Sequence, residues 1–520
     1  MSKAENETPL NIVWIVNEDM GSYLPSFGDS TVVTPNLSRL AAEGICYTNV
    51  YSPSGVCAPS RAALSLGMYP SGVAANHMRT GGNPKYFPQG VIPYEAMPPA
   101  EVKMHGERLR EAGYYCTNNS KEDYQYKKSL MGWDESSRKA HWRNREKGQP
   151  FFAIFNIGVT HESQIWAKAN DSLWIPKDLD VPIPPYLPDN AIGQTDVRRM
   201  YSNIKEMDAE AGKILAQLEE DGLMDKTVIF FYSDHGGPLP RQKRLCYDSG
   251  LKVPMIIRFP DKKGAGTYDD QLLSFIDFKP TIMSLAGIQP PEVLDGKAFL
   301  GTYKVETPRK YIHAAGDRFD AQYDMIRAVR DKQFKYMRNF QPEKSYYLPV
   351  KYRENMPIMQ ELLRMRDEGE LNTYQAQWFR ETKVQEELFD CDNDPHELHN
   401  LADDPAYADK LAELRAECDR WMAEIKDVGE IPEADLIASI WPGNIQPQAA
   451  APTISKEGKQ IILSSETEGA SIGFQLLGPN EKASKRWQIY RGPIDLKKGQ
   501  RLLAIADRIG YKPSEVVEEE

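Results

Sequence analysis

Three short apolar runs, each closed by charged or imidazole side chains, constrain this chain more than any other feature. Residues 11–16 read Asn-Ile-Val-Trp-Ile-Val and lead into Asn17, Glu18 and Asp19. Residues 151–159 are nearly all apolar, interrupted by Asn156, and His161 and Glu162 follow. Residues 227–232 read Thr-Val-Ile-Phe-Phe-Tyr and lead into Ser233, Asp234, His235, Gly236 and Gly237. A strand with one face in water alternates apolar and polar residues, whereas an unbroken apolar run marks a strand covered on both faces. Between the runs, residues 195–221 set Val197, Met200, Tyr201, Ile204, Met207, Ile214, Leu215 and Leu218 at helical spacing. The alternation predicts an α/β fold, a mostly parallel central sheet flanked by helices. Such sheets bind ligands beyond the carboxyl ends of their strands. The three polar strand ends are therefore expected to meet at one site.

The α/β domain is expected over 10–305. From 306 to 440 the texture changes. Short strands at 311–313, 325–329 and 333–337 predict a smaller antiparallel sheet, and 405–427 reads as an amphipathic helix with Leu411, Leu414, Trp421 and Ile425 inward. Residues 441–452 are rich in Pro and Ala, carry no charge and read as a linker. Over 453–515 short strands alternate with turn residues, the pattern of a small appended β-sandwich.

Lys and Arg number 63 against 75 Asp and Glu, a net charge of −12. That balance argues against a nucleic-acid partner, which a basic face would serve. It leaves room for an anionic substrate held by a local cluster of cations. The six cysteines are scattered without a C-x-x-C pair, which excludes a disulfide scaffold, a zinc ribbon and a thioredoxin-like motif. No apolar run reaches the roughly 18 residues that span a bilayer. The polar N-terminus shows no signal core, so the expectation is either a cytoplasmic protein or one whose leader has been trimmed.

The segment Cys57-Ala58-Pro59-Ser60-Arg61 carries the chemistry. Read bare, it is a turn of small residues with a Cys at a helix start. Arg61 lies four residues on and can fold back beside Cys57. A cation and a helix N-terminus both favour an anion at that position. The plainer alternative is a buried Cys near a helix cap, since a lone Cys usually behaves as a small hydrophobe. The segment resembles the C-x-P-S-R signature of type I (formylglycine-dependent) sulfatases of the alkaline phosphatase superfamily. Residues 64–70, Leu-Ser-Leu-Gly-Met-Tyr-Pro, resemble the continuation of that signature. Residues 387–402 resemble the family's C-terminal pattern, and the layout is closest to the sulfamidase (heparan N-sulfatase-like) branch.

The resemblance implies an alkaline phosphatase-like fold and a set of roles. Cys57 would be oxidised to formylglycine by a formylglycine-generating or anaerobic sulfatase-maturating enzyme that reads Pro59 and Arg61. A calcium ion would be held by Glu18, where the family usually has Asp, by Asp19, Asp234 and His235, and by the modified Cys57. Arg61, Lys121 and Lys243 would neutralise sulfate, with Arg241 or Arg244 in place of Lys243 if the register slips. His161 would donate a proton to the leaving group. Asp123 stands where the family usually has His. His77 and Arg79, shortly after the signature helix, are substrate-pocket candidates or an ordinary polar loop. The implied activity is hydrolysis of O-sulfate esters, or of N-sulfate, on a carbohydrate such as a glycosaminoglycan or algal polysaccharide fragment. One hydroxyl of the hydrated aldehyde attacks sulfur and the other expels sulfate. A glycan substrate implies a periplasmic or secreted enzyme. Residues 453–515 resemble the β-sandwich of chitobiase-type glycosidases, as a carbohydrate binder or as a structural cap. Two other readings stand beside this one: a phosphonate or phosphate monoester hydrolase of the same superfamily, and a non-catalytic binder of sulfated glycans.

Overall fold

The three apolar runs are the middle of one mixed sheet in the computed structural model, which describes residues 9–81, 87–458 and 460–520. Its strands are β1 (Asn11–Asn17), β2 (Ile45–Tyr51), β3 (Tyr115–Asn119), β4 (Glu135–Ser136), β5 (Phe151–Ile157), β6 (Thr227–Ser233), β7 (Lys252–Arg258), β8 (Thr267–Asp269) and β9 (Leu273–Ser274). They lie in the order β4-β3-β5-β1-β6-β7-β2-β8, with β9 also paired to β2. β3, β5, β1 and β6 are mutually parallel. β7 runs antiparallel to both β6 and β2, so β2 again points the same way as β1. Asn17 pairs with Ile157 on one side and Ser233 on the other, which levels the carboxyl ends of the three runs.

Alternate residues of each central strand face opposite layers. Val13, Ile15, Ala153, Phe155, Ile229 and Phe231 pack with Val197, Tyr201, Ile204 and Leu215 of the helix Ala191–Glu220. Ile12, Trp14, Phe152, Ile154, Phe230 and Tyr232 pack with Ala62, Ala63 and Leu66 of the helix Cys57–Leu66 and with Phe278 and Ile282 of the helix Phe278–Leu285. Two covered faces are the reason the runs show no alternation. The long helix starts four residues before its apolar periodicity does. Asn190 caps it by accepting the N–H groups of Ile192 and Gly193.

β10 (Ile312–Gly316), β11 (Ile326–Arg330), β12 (Phe334–Asn339) and β13 (Glu386–Asp390) form the second, antiparallel sheet. The helix Ala408–Ile425 lays Leu411, Leu414 and Cys418 on its Val329, Tyr336 and Leu388. Trp421 of that helix enters the core of the large sheet instead. At the C-terminus, β14 (Thr453–Glu457) and β15 (Gln460–Ser464) pack against β16 (Ser471–Leu477) and β17 (Arg501–Asp507) through Ile461, Leu463, Ile472, Leu502 and Ala504. This sandwich sits against the β3–β4 edge, where Arg110 donates to the Trp487 carbonyl at 2.8 Å and Leu130 N–H donates to Asp507 at 2.7 Å.

The stretch read as a linker is tied down. Trp441 Nε1 donates to Gly510 O at 3.2 Å, Ala449 N–H donates to Lys512 O at 2.9 Å, and Lys512 N–H donates to Pro447 O at 2.8 Å. No described helix is long and apolar enough to cross a membrane.

Candidate active site

Five chain segments deliver their polar ends to the carboxyl edge of the large sheet. β1 leads into Glu18 and Asp19, and β6 leads into Asp234 and His235. β5 leads to His161 and Glu162, and β3 leads to Lys121. β2 leads through residues 52–56 to Cys57, the first residue of its helix. Asp19 adopts φ +50°, the left-handed region that Asp tolerates better than most residues. Its own N–H donates to Asp234 Oδ1 at 3.1 Å, locking the two strand ends together.

The signature loop is held by close approach. A Cβ at Gly55 would lie 2.5 Å from Leu245 O, and Arg244 N–H donates to Gly55 O at 2.7 Å. The loop carrying Lys243 is thereby docked against the loop carrying Cys57. Two signature residues also reach β6. Ser60 Oγ donates to Asp234 O, and Arg61 Nε donates to Asp234 Oδ2 at 3.0 Å. Arg61 Nη1 donates to Asn156 Oδ1 at 2.7 Å, so the polar residue inside the apolar β5 run anchors the signature arginine.

Acids and bases interleave here. Lys121 Nζ lies 2.7 Å from Glu18, and Lys243 Nζ lies 2.5 Å from Asp19 Oδ2 and 3.3 Å from Glu162. Arg244 grips Glu162 with two bonds of 2.9 and 2.5 Å, and Glu162 N–H donates to Asp19 Oδ2 at 2.7 Å. Burial opposes the charge on Asp19, but Lys243, His161 and His235 outweigh it and hold the carboxyl well below its usual range. Asp234 is likewise buried, and His235 and Arg61 hold it at about 2. Burial also opposes the charge on Lys243, and Asp19 and Glu162 keep it protonated.

The donor set fits a divalent cation. Ligand atoms of Asp19, Asp234 and His235 lie within 4.8 Å of one another, and Glu18, Asp19 and His161 form a second such group. Asp19 Oδ1 and His235 Nε2 face each other at 2.9 Å, fully buried, and neither has any further hydrogen-bond partner among the described residues. Buried polar atoms without partners are costly. A cation shared between these two removes that cost. Arg61 Nη2 is a third buried atom of the site without a partner.

Cys57 is 4% exposed, and burial pushes its thiol up to about 12, with Asp123 adding to the rise against Lys121 and Lys243. An unmodified thiol is therefore neutral at physiological pH and a weak nucleophile. That chemistry fits a cysteine that must be converted before it can act. His161 Nδ1 accepts the Ser163 N–H at 3.2 Å, and burial and Lys243 push the ring's pKa down. Its Nε2 faces Lys243 at 3.3 Å and Glu18 and Asp19 at 4.0 Å.

Cys57, Arg61, Lys121, Lys243, Glu18, Asp19, Asp234, His235 and His161 thus share one site. Asp123 lies at its edge, 3.9 Å from Lys121. Arg79 lies at the rim, 3.1 Å from Asp320 and with its guanidinium 5.4 Å from the centre of the Tyr352 ring. His77 is buried behind the rim, its Nδ1 accepting the Arg318 N–H at 3.3 Å. Arg241 turns away to the His396 and Glu397 carbonyls, and Arg244 is committed to Glu162. Lys243 is the cation of this loop that reaches Asp19. Sequence reasoning missed the roles of Asn156 and Glu162. Asn156 had a visible signal, a polar residue in an apolar strand. Glu162 had only its place beside His161.

Residues 10–115 and 103–288 match the Sulfatase family, and residues 241–358 match the family N-sulphoglucosamine sulphohydrolase, C-terminal. The chain is 52% identical to an ulvan-active sulfatase of Formosa agariphila, over 98% of this chain and 91% of that protein. It is 23% identical to the N-sulphoglucosamine sulphohydrolase of Homo sapiens, over 81% of this chain and 91% of the relative. Among solved structures, a protein in complex with its substrate D-glucosamine-2-N,6-O-disulfate superposes with a TM-score of 0.59 at 17% identity, covering 82% of this chain and 99% of the other. The phosphonate monoester hydrolase of Agrobacterium radiobacter shares the fold at a TM-score of 0.55 and 17% identity, covering 81% and 97%. The family match and the 52% relative favour the sulfatase reading over the phosphoester hydrolase and the non-catalytic binder. This chain belongs to the sulfatase family and is a sulfuric ester hydrolase.

Proposed function

We propose that this sulfatase removes O-sulfate groups from an algal-type sulfated polysaccharide, using a formylglycine made from Cys57 and a calcium ion. The observation that carries the proposal is the setting of Cys57. Its neutral thiol opens a helix among Lys121 and Lys243, beside a buried carboxylate–imidazole cluster with atoms left unpartnered. The substrate class rests on the similarity to the ulvan-active sulfatase, which spans nearly all of both chains.

Glu18, Asp19, Asp234 and His235 would hold the cation. Three carboxylates suit a hard ion such as calcium, and a bound ion there supplies a Lewis acid toward a sulfate oxygen. Formylglycine supplies a hydrated aldehyde as nucleophile, and its formation calls for a maturating enzyme that recognises Pro59 and Arg61. Arg61 is held by Asp234 and Asn156 and keeps Nη2 for an anionic oxygen. Lys121 and Lys243 neutralise the remaining sulfate charge from two sides, the electrostatic stabilisation that acts where charge develops. His161, whose Nε2 faces the cation cluster, would pass a proton to the leaving oxygen. A polymeric substrate places the enzyme outside the cytoplasm.

Release of inorganic sulfate, followed by ion chromatography, tests the proposal on ulvan, on an N-sulfated glycan and on an aryl phosphate. Release from ulvan is expected. Release from the N-sulfated glycan alone would move the activity to the sulfamidase type. Faster hydrolysis of the phosphate ester would overturn the proposal.

A further inference from the structure

The phenol ring of Tyr352 lies at the seam between Cys57 and His161, although it follows them by 295 and 191 residues in the chain. Its centroid is 6.3 Å from the His161 ring at an interplanar angle of 67°. It is 5.4 Å from the Trp166 ring at 75°. The Arg79 guanidinium sits 5.4 Å from its centre. The ring also packs on an apolar cluster of Val56, Cys57, Ala58, Met78, Phe319 and Val350. Val56, Cys57 and Ala58 are buried, whereas Tyr352 is only partly so. Tyr352 therefore forms the outer layer of the cluster that contains the nucleophile position.

Geometry then places it relative to substrate. The sulfur must come within bonding reach of residue 57. The leaving oxygen must lie beside His161 Nε2. A ring joined through that oxygen leaves the site along the line between the two, past the side chain that bridges them. Trp166 and Arg79 brace Tyr352 from outside the cation cluster, so the ring is held without being enclosed. Rigid aromatic rings with a free edge or face supply contact area at little conformational cost.

We propose that Tyr352 is the specificity-determining wall of this site, packing against the sugar ring that carries the scissile sulfate. The proposal rests on the carbohydrate reading of the function. Inorganic sulfate alone occupies the cation cluster and does not reach this wall.

Binding to full-length protein carrying Cys57→Ala separates the two, because no turnover intervenes. A sulfated oligosaccharide from ulvan and inorganic sulfate serve as probes in calorimetry, with and without Tyr352→Ala. Tyr352→Leu, which keeps bulk over the cluster but removes the flat ring, covers the case in which the alanine variant fails to fold. The expected result is oligosaccharide binding at least about tenfold weaker in the Tyr352 variants with the sulfate Kd unchanged, a loss of contact to the sugar alone. An unchanged oligosaccharide Kd overturns the proposal and leaves the carbohydrate reading standing. Equal weakening of both probes also overturns it, since Tyr352 would then be propping up the Cys57 cluster. No oligosaccharide binding to the Cys57→Ala parent, with sulfate still bound, overturns the carbohydrate reading itself and the wall with it.

Discussion

Replacing Glu162 by Gln tests the charge lattice at its centre. Glu162 is buried, and Arg244 and Lys243 overcome the burial to hold its carboxyl at about 2. Its two oxygens serve Arg244 at 2.9 and 2.5 Å, and one lies 3.3 Å from Lys243. Gln keeps the shape and removes the charge. Breaking a buried pair from one side costs about 3–5 kcal/mol, because the partner stays buried without its counter-ion. Two cations share that loss here. Lys243 keeps Asp19 at 2.5 Å as its remaining anion and competes with a metal for that carboxylate. Groups that orient metal ligands from behind change metal affinity by about 10–100-fold, which is about 1.4–2.7 kcal/mol. The remainder should appear as a lower melting temperature in the metal-free protein. Calorimetric titration of calcium into wild type and Glu162→Gln, with melting curves of each, measures both parts. A folded Glu162→Gln protein that binds calcium as wild type does would refute the idea that Glu162 draws Lys243 away from Asp19.

Three further outcomes follow from the same structure. A chelator should lower the melting temperature and excess calcium should restore it, since an ion at 100 times its Kd stabilises by about 2.7 kcal/mol; a melting curve indifferent to both would contradict the cation site. Asn156→Leu should lower kcat by about 10–100-fold with the fold retained, because a hydrogen bond to a charged group contributes about 1.5–3 kcal/mol and Arg61 would keep only its Asp234 anchor. Unchanged kcat would show that Asn156 does not position Arg61. Asp196→Asn should raise stability at pH 8 and leave it unchanged near pH 4. Burial pushes the Asp196 carboxyl up to about 7, so the folded state holds a proton that the unfolded chain sheds, and stability falls as pH rises from about 4 to about 7. Equal gains at both pH values would contradict that assignment.

The residues legible in the sequence are those whose meaning is local. Glu18 and Asp19, Asp234 and His235, and His161 each close an apolar strand, and a parallel sheet brings such ends to one edge. Cys57 and Arg61 share a helix turn. Glu162 is adjacent to His161, yet its meaning depends on Arg244, 82 residues away. Asn156 stands out as polar within β5, but only the fold supplies Arg61 as its partner. Tyr352 lies in an aperiodic stretch between β12 and β13, where no spacing rule applies. The same holds for residues 441–452. Their Pro and Ala content speaks for a free connection, while the partners that tie them down, Gly510 and Lys512, come some 60 residues later. The start of the helix at Asn190 was missed because a cap precedes the apolar periodicity that marks a helix.

The central claim is that Cys57 becomes the nucleophile. Peptide mass spectrometry across residues 50–61, on protein co-expressed with a formylglycine-generating enzyme, addresses it directly. The account predicts a loss of mass on Cys57 equal to replacement of the thiol by an aldehyde, in the same preparation that releases sulfate from ulvan. Full sulfate release from protein whose Cys57 remains a thiol, or has been replaced by alanine, would contradict it.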